Sequence, residues 1–250
     1  MLNNISELFW LLNLGIIKHN LDQITLGQIM GYPLYLLKPR TFDSSKPNVL
    51  IAAGVHGDEI AGPWGLVLAL NFIEQFSNCN VSFLPLVNPT GFVNNCRYNI
   101  YGRSPNDGWI HEHIELLSSE GQLIKGHISQ ILPLAKDGFL TLHEDSDHKQ
   151  FYLYNMAKGN PDELVQRMLA VGQKYFGLVE DSYYYQKEES DTYKVHIQKG
   201  LVHNSHDGTF EDYLFHCGVP QTNCTETPQN DVLEKRIACV IDLIRAYTNR

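Results

Sequence analysis

Short apolar runs alternate with helical repeats along most of this chain. Residues 29–38 are rich in aliphatic and tyrosine side chains, and 49–54 are continuously apolar. Together they predict an early strand pair divided by the turn Asp43-Ser44-Ser45-Lys46-Pro47. Residues 60–76 then carry Trp64, Leu66, Val67, Leu70 and Ile73 at helical spacing. Residues 81–87 read as a strand closed by Asn88-Pro89-Thr90-Gly91, and a polar loop rich in Asn and Gly follows to residue 108. Loops of that length in compact domains often carry function. Further on, 110–132 reads as helical, 138–143 as a strand ending in His-Glu-Asp, 151–154 as a neighbouring strand and 162–175 as a helix. Residues 183–199 are polar and aromatic without a clear period. Residues 209–216 suggest a short helix, 219–226 a strand and 231–247 a closing amphipathic helix. The alternation predicts an α/β fold, one domain over 1–250, with a central mixed, partly parallel, twisted sheet and helices on both faces. Residues 1–45 are expected to add a helix and strand packed on that core.

Composition narrows the function classes. With 43% apolar residues, the 250-residue chain can bury a substantial core. Its 19 basic and 28 acidic residues give a net charge of -9, which argues against broad contact with nucleic acid or anionic lipid and favours a small-molecule or peptide partner. The run Phe9-Trp10-Leu11-Leu12 has no basic segment before it and reads as a packed helix, and no apolar stretch is long enough to span a bilayer. Five cysteines without Cys-x-x-Cys spacing suggest neither a disulfide framework nor a thiolate zinc cluster, which fits a reducing cytoplasm.

Candidate chemistry gathers where strands end, as ligand sites do in such sheets. The strand over 49–54 runs into His56-Gly57-Asp58-Glu59, the one over 138–143 ends at His143, and the one over 219–226 ends at Glu226. His56, Glu59 and His143 make a two-histidine, one-glutamate zinc set that leaves a position for water. Glu226 beside that water can take its proton and return it to a leaving nitrogen, which is amide hydrolysis. The acids Glu144, Asp145 and Asp147 with His148 leave room for a second divalent ion near Glu144 and Asp145. His111-Glu112-His113 reads as a solvated first helical turn.

These patches, with Asn88-Pro89-Thr90-Gly91-Phe92 and Gly208-Thr209-Phe210-Glu211-Asp212-Tyr213, resemble in order the M14 zinc carboxypeptidases and the related succinylglutamate desuccinylases and aspartoacylases. The resemblance spans about residues 45–230. It implies one Zn2+ per chain on His56, Glu59 and His143, with Glu226 as general base. Arg97 matches the arginine that polarises the scissile carbonyl, and Asn106 the asparagine of a carboxylate-binding Asn-Arg pair. Asp107 stands where that pair has its arginine, so the usual clamp is missing or reversed in sign, with Arg103 a possible substitute. Asn204, His203 or His206 occupies the region of a substrate-covering tyrosine. Glu211 falls near the position that reads the substrate side chain, and with Asp107 it suggests a substrate carrying an ammonium group. The resemblance implies a carboxypeptidase acting on short peptides. Its alternative is an amidohydrolase acting on N-acyl amino acids, and a metal-binding module without catalysis is a third reading that Glu226 argues against. Residues 1–45 are too few for a typical inhibitory domain, so the enzyme is expected to be made active.

Overall fold

The computed structural model of the chain describes residues 3–74, 76, 78–109, 114–188 and 191–249. Asn4 caps the first helix, α1 (Ile5–Lys18), by accepting the Glu7 N–H at 3.2 Å. Two antiparallel strands follow, β1 (Leu21–Ile29) and β2 (Tyr32–Pro39), joined by Met30 and Gly31. Both joining residues have positive φ, the backbone of a type I′ turn, which matches the twist of the strands it connects. The next elements are β3 (Asn48–Ala53), α2 (Ala61–Phe72), β4 (Asn80–Leu84), α3 (Pro89–Asn94), α4 (Ser119–Gly126) and α5 (Ile128–Ile131). Then come β5 (Gly138–Asp145), β6 (Tyr152–Ala157), α6 (Glu163–Phe176), β7 (Asp181–Glu188), β8 (Asp191–Gln198) and β9 (Leu201–His203). The chain closes with α7 (Phe210–His216), β10 (Gln221–Pro228) and α8 (Leu233–Thr248).

All ten strands join one sheet in the order β1-β2-β4-β3-β5-β10-β6-β9-β8-β7. Its centre is parallel, through β4 with β3, β3 with β5 and β5 with β10, while β6 runs antiparallel to β10. The fold is therefore a single α/β domain with a mixed, partly parallel sheet. Alternate residues of β3 enter two cores. Val49, Ile51 and Ala53 pack with buried side chains of α1, α2, α6 and α8, while Leu50 and Ala52 pack with Trp109, Ile124, Phe139, Phe210 and Leu214. Burial on both faces explains why this strand reads as a continuous apolar run. Close approach matters on the first face, where a Cβ on Gly15 would lie 2.6 Å from Leu70 Cβ.

Several sequence expectations change. The run at 29–38 joins the end of β1, a turn and β2, and its partners are β1 and β4; β3 pairs instead with β4 and β5. The helix expected over 110–132 divides into a 3-10 turn (Ile114–Leu116), α4 and α5, and His111, Glu112 and His113 lie outside the described residues. The aperiodic region at 183–199 belongs to the hairpin β7–β8 at the sheet's edge. Among the described residues no helix is long and apolar enough to cross a membrane.

Candidate active site

The loop from β3 to α2 carries His56 and Glu59, and two glycines let it fold inward. Gly54 has φ +63°, and a Cβ on Gly57 would lie 2.0 Å from the carbonyl carbon of Gly91. The loop thus rests on the Asn88–Gly91 turn. Asn88 caps α3 by accepting the Gly91 N–H at 2.8 Å, and its amide donates to the Arg97 carbonyl at 3.2 Å. The Gly57 N–H donates to the same carbonyl at 3.4 Å. This network fixes the backbone of Arg97, whose half-exposed guanidinium reaches Glu59 Oε1 at 3.2 Å.

His143 comes from the end of β5, and all three candidate ligands are nearly inaccessible to solvent. His56 Nδ1 lies 2.6 Å from Glu59 Oε1, His143 Nδ1 lies 2.9 Å from Glu59 Oε2, and the two Nδ1 atoms are 3.2 Å apart. The Glu144 N–H steadies Glu59 Oε2 from 3.2 Å. Two imidazole nitrogens and a carboxylate oxygen within 4.8 Å of one another fit a zinc-type dication, whose preferred donors are these. Burial disfavours charge on Glu59, yet the two imidazoles hold its carboxyl well below the usual range. Burial likewise lowers His56, whereas the attraction of Glu59 and Glu211 overcomes it at His143 and raises that imidazole well above its ordinary value.

Beside this cluster is a cleft of about 220 Å³ whose lining includes Arg97, Asn106 and Glu226. Burial pushes the Glu226 carboxyl well above the usual carboxylate value. Asn106 is held, its side-chain oxygen accepting the Phe210 N–H at 3.2 Å. Glu211 also borders the cleft, but it accepts a hydrogen bond from Thr141 and lies 3.5 Å from His143 Nε2. That position supports the imidazole from behind.

Other expected residues are placed elsewhere. Asp107 and Asn204 are exposed and do not line the cleft. Asn204 accepts the Ala157 N–H, and His203 faces the Gly159 carbonyl. Arg103 donates to the carbonyls of Glu115 and Leu117, so it clamps that turn and leaves no replacement guanidinium in the cleft. Glu144 and Asp145 border the cleft but have their own partners. Arg236 reaches Glu144 at 2.5 Å and the Ala61 N–H donates to it at 2.8 Å, while Asp145 takes the backbone of Asp147 and the His148 ring. Neither belongs to a metal-compatible cluster among the described residues. Cys224 is buried and Cys217 exposed.

The sequence reading missed Asp207 and the β6 face Tyr152, Tyr154 and Met156, all lining the cleft, where Thr209 of the 208–213 patch joins them. The two-residue spacing of Tyr152, Tyr154 and Met156 was the available signal, because it puts them on one face of a strand. Asp207 accepts from the Thr209 N–H and hydroxyl, and burial lifts its carboxyl to about 6.

No family model and no curated protein matches the sequence. Solved structures do. A candidate metallopeptidase of Shewanella amazonensis SB2B is 30% identical with a TM-score of 0.89, over 99% of this chain and 93% of its own. One of Shewanella baltica OS155 is 29% identical with a TM-score of 0.90, over 99% and 92%. A metallo-carboxypeptidase of Burkholderia cenocepacia shares the fold at 18% identity and a TM-score of 0.68, over 96% of this chain and 66% of its own. With the buried His56, Glu59 and His143 set at the strand ends of this sheet, such likeness along nearly the whole chain means that it belongs to the M14-like, carboxypeptidase-fold family of metallopeptidases.

Proposed function

We propose that the protein is a zinc-dependent carboxypeptidase that removes the C-terminal residue of short peptides. The observation that carries this reading is the placement of Glu226 and Arg97 on a cleft that opens onto His56, Glu59 and His143. A zinc ion on these three side chains supplies the Lewis acidity that makes water reactive toward an amide near neutral pH. Glu226 takes the proton of the attacking water on its carboxylate and passes it to the departing nitrogen; its raised pKa suits both transfers. Arg97 stabilises the negative charge that develops on the carbonyl oxygen, with its backbone pinned by Asn88 and Gly57. Asn106 and the β6 tyrosines border the bound peptide, and Glu211 keeps the His143 ring oriented.

The leaving residue carries a cation. Among the described residues, Arg97 is the one Lys or Arg side chain on the cleft, against Glu59, Glu144, Asp145, Asp207, Glu211 and Glu226. Of these acids, Glu144 is paired with Arg236 and Asp145 with His148, Glu59 is a ligand, Glu226 carries the protons, and Glu211 is turned toward His143. Asp207 remains to meet an ammonium group, in place of the exposed Asp107.

The test is metal analysis of the purified protein with a panel of peptides and N-acyl amino acids, on wild type and Glu226→Gln. About one zinc per chain at this centre and chelator-sensitive peptide trimming, abolished in the variant, is the expected result. Cleavage confined to N-acyl amino acids would move the enzyme to the deacylase branch, and activity that survives the substitution would overturn the assignment.

A further inference from the structure

A second convergence of ligand atoms lies outside the site described above and shares no residue with it. Asp212, on α7, is buried, while His206, before that helix, and His216, at its last position, are exposed. His206 Nδ1 lies 2.7 Å and His216 Nε2 3.2 Å from the same oxygen, Asp212 Oδ1. The other oxygen, Oδ2, accepts the Gly208 N–H at 3.0 Å, which fixes the carboxylate with Oδ1 turned to the two rings. The three ligand atoms lie within 4.8 Å of one another. The spacing of Asp212 and His216 puts both on one face of α7, and the His206 ring stacks toward Phe215 and His216 with centroids 5.6 and 5.4 Å away.

We propose that His206, Asp212 and His216 form a second, non-catalytic site for a transition-metal dication such as Zn2+ or Ni2+. Two imidazoles and one carboxylate are a donor set of the right softness. At bond lengths of about 2.0–2.2 Å, tetrahedral ligand atoms stand about 3.4 Å apart, so the exposed His206 ring has to move out by about 0.7 Å and the His216 ring by about 0.2 Å. Both histidines reach solvent, so an ion can enter and keep water on its outer side. Its effect is local. His206 is bonded to Asp207, and Asp212 to Glu211, so the ion braces the segment that presents two acids to the cleft. The ion therefore stabilises this wall and leaves the chemistry to the inner centre.

The proposal is independent of the catalytic reading, and the test separates them. Tag-free protein, stripped with chelator, is titrated with Zn2+ and Ni2+ alone, and bound metal is counted in wild type, His206→Ala, His216→Ala and His56→Ala. Wild type is expected to bind two equivalents; each of the three variants loses one, and only the first two also lose the upward shift in melting temperature that the outer ion gives. His206 and His216 are exposed, so their alanine variants are expected to keep the fold, and circular dichroism checks it. If metal bound by wild type is fully retained in both His206→Ala and His216→Ala, or wild type binds none, the cluster is a hydrogen-bonded one only and the proposal falls. Loss in these two variants with none in His56→Ala upholds the outer site and overturns the inner one.

Discussion

Glu226 on β10 stands directly opposite His143 on β5 in their parallel pairing. Side chains in register on neighbouring parallel strands share a face, so the sheet itself sets Glu226 beside His143. Glu226→Gln keeps the shape and removes the basic oxygen. Turnover is expected to fall about 10²–10⁴-fold with metal content unchanged, read by steady-state kinetics beside elemental analysis. Equal turnover in the two proteins would remove Glu226 from the mechanism.

Metal binding should release protons. Although burial opposes charge on His143, Glu59 and Glu211 keep it protonated above the ordinary histidine range, and a ligand imidazole must be neutral. Zinc affinity is therefore expected to weaken as pH falls, with proton release near pH 7. Calorimetry in buffers of different ionisation enthalpy measures it; identical heats in all buffers would contradict the protonated state.

Glu211 lies 3.5 Å from His143 Nε2, so on the proposed reading it would act on the metal through that ring. Glu211→Gln is expected to weaken zinc binding about 10–100-fold, while preference among peptides stays as it was. A change in preference with unaltered zinc affinity would return Glu211 to the substrate-reading role that its sequence position suggested.

Two of the strand ends were legible because β3 and β5 are apolar runs that lead into His56 and His143, whereas β10 is polar and stood out by its carboxylate alone; their shared site follows from parallel pairing. Other parts were hidden for physical reasons. Met30-Gly31 is a weak turn signal inside an otherwise apolar stretch, so two strands looked like one. In the β7–β8 hairpin at the sheet's edge, Val195 and Ile197 do alternate onto a small core cluster, but two apolar positions are too few to set a period in the sequence. Asp107 and Asp207 show the limit most clearly. The first lay at a family position but faces solvent, whereas the second sits between β9 and α7, and only the tertiary path of that loop brings it to the cleft.

Arg236 and Glu144 form a pair with side chains 9% and 0% exposed, 2.5 Å apart. Removing the cation strands a buried carboxylate, so Arg236→Met is expected to cost about 3–5 kcal/mol at pH 8. Burial already raises Glu144 to about 7, above its unfolded value, so protonation favours the fold at low pH. Without Arg236 that pKa climbs further. The variant's deficit should therefore shrink toward pH 5, where Glu144 is neutral in the folded protein, and grow as pH rises through 7. Melting temperatures of both proteins at pH 5.5 and 8 check this; a deficit independent of pH would mean that packing, not charge, dominates.

Asp207 gives substrate choice a pH signature. Its carboxyl, lifted to about 6 by burial and by neighbouring Glu211 and Asp212, is charged only above that pH. For peptides ending in a cationic residue, kcat/KM is expected to rise as pH increases through about 6, beyond any rise shared with neutral peptides. A charge-assisted contact contributes about 1.5–3 kcal/mol, or roughly 10–150-fold in discrimination. Asp207→Asn retains an oxygen for the Thr209 N–H and hydroxyl but no charge. In that variant both the cationic preference and the extra rise near pH 6 should disappear, with activity on neutral peptides largely kept. Profiles of paired cationic and neutral peptides, measured on both proteins, decide it: the ratio of their kcat/KM isolates Asp207 from Glu226, whose titration affects both substrates alike. A ratio that stays flat with pH in the wild type would assign cation recognition to another group.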